Sequence, residues 1–131
     1  MSKRLRQIMV KNIVTVKPNA TVKSAAELMN AHEISCLVVA IDEKPIGIVT
    51  EQDMLRRVMH KSRDPEKTCV SDIMSKPLIV APPNMHAREA SKLMLERNIR
   101  KLPVVENGRL VGLVTLTDLI TALVPHRITR A

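Results

Sequence analysis

The chain is written twice. Shifting its 131 residues against themselves by 65 positions aligns 8–55 with 73–120 without a gap, giving 15 identities in 48 positions on one register. Met9/Met74, Pro18/Pro83, Met29/Met94, Gly47/Gly112, Thr50/Thr115 and Asp53/Asp118 are among them. A repeat of this length is one supersecondary unit that cannot bury its apolar face alone, so neighbouring copies must complete each other. Whatever layout the chain adopts has to satisfy both copies, which removes most of the folds open to an arbitrary sequence of this size.

Both copies carry the same order of signals. In the first, Ile13-Val14-Thr15-Val16 predicts a short strand closed by Pro18-Asn19. Thr21 offers an N-cap for a helix to about His32, with Val22, Ala25, Ala26, Leu28 and Met29 as its apolar face. Residues 37–41 predict a buried strand, 42–45 a turn and 46–49 a further strand. A second helix is expected from about Glu51 to His60, with Met54, Leu55 and Val58 inward. The second copy predicts a strand at 78–81, a helix at 86–97, strands at 102–105 and 110–114, and a helix at 116–124. Its Asn107-Gly108 is the favoured dipeptide of a tight hairpin. The polar stretch Lys61 to Lys67 reads as a flexible linker. The expected fold is α+β (α/β): two β-α-β-β-α repeats, at 6–60 and 71–125 around a linker at 61–70. They are expected to pack sheet to sheet with pseudo-twofold symmetry.

The core must be built from Val, Ile, Leu and eight Met, because Phe, Trp and Tyr are absent. The same absence removes the aromatic platforms on which single-stranded nucleic acids and RNA-recognition sheets stack bases. Basic residues outnumber acidic ones 21 to 13, a net charge of +8. The excess is concentrated at the start: Lys3, Arg4, Arg6, Lys11, Lys17 and Lys23 precede the first acid, Glu27. Such a field suits anionic partners, either nucleic acid or small phosphorylated ligands, and equally serves as a solvated face. Cys36 and Cys69 are too few and isolated for a disulfide framework or metal site, and the four His residues stand alone, so no metal is expected. No apolar run approaches the roughly 20 residues of a membrane helix or follows the N-terminal charges as a secretory signal would. A cytoplasmic protein with no membrane partner is expected.

The sharpest local pattern is Gly47-Ile48-Val49-Thr50-Glu51-Gln52-Asp53, echoed by Gly112-Leu113-Val114-Thr115-Leu116-Thr117-Asp118. Each places a Thr at a strand end and an Asp three residues on, in the first turn of a helix. Two readings stand. Thr as N-cap with Asp at the third helical position resembles a capping box and suits the helix dipole. The same geometry can also recognise a nucleotide. Helix N–H groups face a phosphate, the Thr hydroxyl adds a donor, and a carboxylate accepts both hydrogens of a ribose cis-diol.

With these elements the chain resembles a tandem pair of cystathionine β-synthase (CBS) domains, a Bateman module, over about residues 6–124. The resemblance rests on the tandem repeat, Asp72-Ile73-Met74, Leu102-Pro103-Val104-Val105 and the two Gly-to-Asp elements. Similar pairs occur in inosine monophosphate dehydrogenase, chloride channels and the gamma subunit of AMP-activated protein kinase, where they bind adenosine-containing ligands in clefts between the repeats. The resemblance implies a regulatory module for AMP, ADP or ATP with no catalytic residue and no required cofactor. It implies a homodimer and a regulated protein outside this chain.

One implied site combines Thr50 and Asp53 with Ile79, Val80, Ala81, Ile99, Arg100 and Lys101. The other combines Thr115 and Asp118 with Val14, Thr15, Ile34, Ser35 and Cys36. Arg100-Lys101 stands where the first copy has Ser35-Cys36, so the Asp53 site is expected to hold a phosphate better than the Asp118 site. Arg56 and Arg57 suit a salt bridge on the helix surface or phosphate binding.

Alternatives share or replace this site. S-adenosylmethionine and NAD(H) carry the same adenosine. A basic nucleic-acid-binding accessory is a separate class, without a helix-turn-helix or zinc module to support it. An enzyme is not expected, because no nucleophile–base pair, metal cluster or Walker-type loop is present.

Overall fold

The computed structural model describes residues 3–124. The elements follow the order α1 (Leu5–Ile8), β1 (Thr15–Val16), α2 (Val22–His32), β2 (Cys36–Ile41), β3 (Lys44–Thr50) and α3 (Glu51–Met54). A π-helical turn, Leu55–Met59, continues α3, with the His60 N–H donating to the Leu55 carbonyl. The second half holds α4 (Val70–Ile73), α5 (Ala87–Arg97), β4 (Lys101–Glu106), β5 (Arg109–Thr115) and α6 (Leu116–Leu123). It is a mixed helix-and-strand architecture with two small sheets, β1-β2-β3 and β4-β5.

The compact units cut across the two copies. Ile13–Leu78 form one unit, and the segment ending at Asn12 joins the segment beginning at Ile79 in the other. Each copy's opening segment is thus built into the core of the other copy. In the 13–78 unit, Val70, Ile73 and Met74 pack with Val22, Met29, Leu37, Val39 and Val49. In the other unit, Leu5 is fully buried with Met94, Leu102, Val114 and Leu119. The backbone repeats the exchange. Ser75 and Ile48 exchange N–H···O bonds of 2.8 and 3.3 Å, and Val10 and Leu113 do the same at 2.9 and 3.0 Å.

Gly47 and Gly112 leave room for these crossings. A Cβ built on Gly47 would lie 2.5 Å from Met74 Sδ, and one on Gly112 would run into Met9. No residue larger than glycine fits without moving the methionine.

Helix α2 shows why the linker is not free. Thr21 Oγ1 accepts from Ser24 N and the Thr21 carbonyl from Ala25 N. The Thr68 and Pro65 carbonyls accept from Val22 N and Lys23 N. The orphan donors of the first three helical residues, Val22, Lys23 and Ser24, are all satisfied, two of them by the stretch expected to be a flexible linker. Buried Thr68 also donates to the Asp64 carbonyl. In the second copy the Lys3 carbonyl takes the equivalent role, accepting from Ala87 N.

Both long helices end on a left-handed residue, Glu33 at φ 54° and Asn98 at φ 55°. The following N–H, of Ile34 or Ile99, then reaches back to the carbonyl of Met29 or Met94. Asn107 and Gly108 both have positive φ, as a type I′ turn between Glu106 and Arg109 demands.

Three expectations are corrected. The strand at 78–81 reduces to a single parallel bridge, Ala81 with Val104. Pro103 occupies the place of Val38, the partner of Thr15 in β1, and without an N–H it cannot make the bond that would extend the ladder. Leu55 is 56% exposed rather than inward, because Met54 and Val58 stack on one helix face and Leu55 lies about 100° round from it. Ala26 is exposed for the same reason, one residue off the Val22, Ala25 and Met29 stripe.

Candidate functional site

Sheet topology gathers the candidate residues at one end of each sheet. β1 and β2 are parallel and β3 is antiparallel to them, so the starts of the first two and the end of the third coincide. In the 13–78 unit this collects Val14 and Thr15, then Ile34, Ser35 and Cys36, then Thr50 and Asp53. The register pairs Cys36 with Thr50, and Glu51 N donates to the Ser35 carbonyl at 3.1 Å. In the other unit the same logic collects Ile79, Val80 and Ala81, then Ile99, Arg100 and Lys101, then Thr115 and Asp118. Lys101 pairs with Thr115, and Leu116 N donates to the Arg100 carbonyl at 2.9 Å. Each unit therefore brings together the residues of one copy, whereas the two sets implied by the family resemblance each draw on both units.

Both Thr–Asp elements are capping boxes. Thr50 Oγ1 accepts from Asp53 N at 3.2 Å, and Asp53 Oδ2 accepts from Thr50 N at 2.9 Å. Thr115 and Asp118 repeat this at 3.0 and 3.1 Å. Capping does not exhaust a carboxylate, which has about four acceptor positions, so a cap and a ligand contact can share one Asp.

Beyond the cap the two carboxylates differ. Asp53 is buried, 7% exposed, and is surrounded by donors. Thr50 Oγ1 lies 3.1 Å from its Oδ2, and the Ser75 hydroxyl lies 3.1 Å from Oδ1 and 3.4 Å from Oδ2. Arg57 Nε lies 3.9 Å from Oδ1, one helical turn on. The Arg57 guanidinium also donates through Nη1 to the Ile73 and Met74 carbonyls, at 3.2 and 3.1 Å. It thereby caps the end of α4 and holds the 70–75 segment against α3. Arg57 is thus the salt-bridge residue that its spacing suggests. Ser75 gives no sequence signal, lying 22 residues from Asp53.

In the second copy these partners are missing. The positions equivalent to Ser75 and Arg57 are Val10 and Ala122, neither of which can donate from its side chain. Asp118 is partly exposed, and among the described residues Thr115 N is the one group that donates to its carboxylate.

The basic opening is partly committed within its own unit. Arg4 Nη1 donates to the Asn84 carbonyl at 2.6 Å, and Arg6 pairs with Glu106 at 3.2 Å. Among the described residues no three His, Cys, Asp or Glu are placed to hold a metal ion, and no helix is long and apolar enough to cross a membrane.

The CBS domain family profile matches this chain twice, at residues 5–60 and 70–125. An uncharacterized protein of Methanopyrus kandleri is 37% identical over 112 residues, covering 84% of this chain; the chain spans 57% of that protein's length. The CBS domain-containing protein YhcV of Bacillus subtilis is 37% identical over 115 residues, covering 88% of this chain and 81% of YhcV. Among solved structures, the hexameric CBS-CP12 protein from bloom-forming cyanobacteria superposes with a TM-score of 0.84 at 30% identity, over 94% of this chain and 73% of that one. Two profile matches at the 65-residue offset, a relative matched over most of both lengths and a shared fold agree: the chain belongs to the CBS domain family and carries two copies of the domain.

Proposed function

We propose that this chain is a non-catalytic regulatory module that binds an adenosine-containing ligand, an adenine nucleotide of the AMP, ADP or ATP type. CBS domain pairs are in general regulatory and ligand-binding. The observation that carries the finer reading is the Thr–Asp element, repeated at the same sheet end in both units beside segments in which Thr15, Val80 and Arg100 are exposed. A ribose cis-diol needs a fixed carboxylate, and the capping box fixes it. Adenine needs backbone donors and acceptors beside apolar side chains, which the segments at Val14-Thr15 and Ile79-Val80 offer; both backbone groups of Ala81 are taken by β4. A phosphate needs the cations that Arg100 and Lys101 supply.

Ligand would act by binding one conformation more tightly than another, with the change read by a homodimer or a regulated protein. Self-association is supported by the hexameric relative. It is supported too by the apolar residues that both copies leave uncovered at matching positions: Leu55 with Ile120, and Met59 with Val124. Calorimetric titration with AMP, ADP, ATP, NADH and S-adenosylmethionine tests the reading. Micromolar binding of an adenine nucleotide is expected. No heat from any of the five, with unchanged melting at millimolar ligand, refutes it.

A further inference from the structure

We infer that the two Thr–Asp elements are not equivalent: Ser75 and Arg57 close Asp53 to ligands, and the chain binds one nucleotide, in the unit that holds Asp118, Arg100 and Lys101. The inference rests on the adenine-nucleotide reading and assigns it to one element. A ribose cis-diol brings two hydroxyl donors that need unoccupied carboxylate lone pairs. At Asp53, Oδ2 already faces the Thr50 amide and hydroxyl, Oδ1 faces the Ser75 hydroxyl, and Arg57 stands 3.9 Å away. A diol would have to displace Ser75, and with it the hold of Asp53 on the 70–75 segment. At Asp118 the only donor among the described residues is Thr115 N.

The cations fall on the same side of this contrast. Arg100 precedes β4 and its carbonyl accepts from the first N–H of α6, so its backbone is fixed against Leu116, two residues before Asp118. Its counterpart beside Asp53 is Ser35, whose carbonyl makes the same bond to Glu51 N. One unit therefore offers an accessible carboxylate with an Arg and a Lys at one sheet end. The other offers a closed carboxylate with a Ser and a Cys. An adenosine phosphate, with a diol at one end and a charge at the other, matches the first arrangement and neither part of the second. The ligand strength expected from the sequence is thereby reversed: the Asp118 element, not Asp53, takes the nucleotide.

The test is calorimetry on the full chain with AMP, adenosine and 2′-deoxy-AMP, each variant checked by its melting temperature. Wild type is expected to bind one AMP per chain, and 2′-deoxy-AMP more weakly. Asp118→Asn is expected to lose roughly 10- to 100-fold in AMP affinity, the worth of hydrogen bonds to a charged group. Arg100→Ala, which touches no cap side chain, is expected to weaken AMP but leave adenosine unchanged. The double variant Ser75→Val, Arg57→Ala copies Val10 and Ala122 into the other unit, and its stoichiometry for adenosine, which needs no cation, is expected to rise from one towards two. Two AMP per wild-type chain, or AMP affinity unchanged in a folded Asp118→Asn, overturns the assignment while leaving the nucleotide reading intact. No binding of either AMP or adenosine overturns both.

Discussion

The glycine of each Gly-to-Asp element has a reason that can be tested without any ligand. Gly47→Ala places a methyl 2.5 Å from Met74 Sδ and 3.0 Å from its Cγ, with the Ser75 carbonyl oxygen at 3.3 Å. Met74 is buried and has little space to swing into, so the substitution overpacks the core, at a cost of about 1–3 kcal/mol. Removing the methionine first reverses the outcome. In a Met74→Ala background the two closest contacts vanish, and of the three nearest only the 3.3 Å approach to Ser75 remains. Gly47→Ala should then be neutral, or stabilising by up to about 1 kcal/mol from the stiffer unfolded chain.

The coupling energy of the pair is thus roughly 1–4 kcal/mol, overlapping the upper part of the range measured for residues in contact. The second copy gives a built-in control. At Gly112 the added methyl also meets Met9 Cβ at 2.9 Å, an atom that Met9→Ala retains. Rescue there should be only partial. With no Trp or Tyr to report, urea unfolding is followed by far-UV circular dichroism. A Gly47→Ala cost that is the same with and without Met74 would refute the idea that the exchanged segment imposes the glycine.

Three further outcomes follow from the fold. Glu33→Gly should stabilise by about 0.5–1 kcal/mol, because Glu33 holds a left-handed conformation at φ 54° that Gly adopts freely; Asn98→Gly, from a residue that tolerates it, should change little in the same urea titration. Thr21→Ala removes the acceptor of Ser24 N and should cost about 1 kcal/mol, read as a lower thermal midpoint. Met94→Ala, fully buried, should cost about 2–5 kcal/mol, whereas its neighbour Leu95, 69% exposed, should give less than about 0.5 kcal/mol in calorimetric unfolding.

What the sequence made legible was local or periodic. Thr21 and the Val22, Ala25, Met29 spacing place α2 almost to the residue, and Asn107-Gly108 fixes its turn because positive φ at two successive positions is a demand on those two residues alone. The repeat register fixes the element order. Contacts distant along the chain were not legible. Leu5 sits between Arg4 and Arg6 and reads as part of a solvated basic face, yet it is fully buried, because its partners lie more than 70 residues on. The strand at 78–81 was lost to a single residue on its partner, Pro103. The Thr–Asp elements were visible as a pattern. The groups that make one closed and the other open, Ser75 and Arg57 against Val10 and Ala122, sit outside the motif and are joined to it only by the fold.

The exchange of opening segments also sets an order on synthesis. Ile13–Leu78 is continuous, so that unit can be complete once Leu78 has been made. The other unit needs Val10 to meet Leu113, about a hundred residues later, a wait of roughly 5–20 s at ribosomal rates of about 5–20 residues per second. Through that interval Leu5, Ile8 and Met9 are exposed apolar groups on a nascent chain. Lys3, Arg4, Arg6 and Lys11 flank them, and charges beside an unburied apolar stretch keep it from associating with its neighbours. On a nascent chain those cations would keep the waiting segment apart from its neighbours, before the fold that buries it exists.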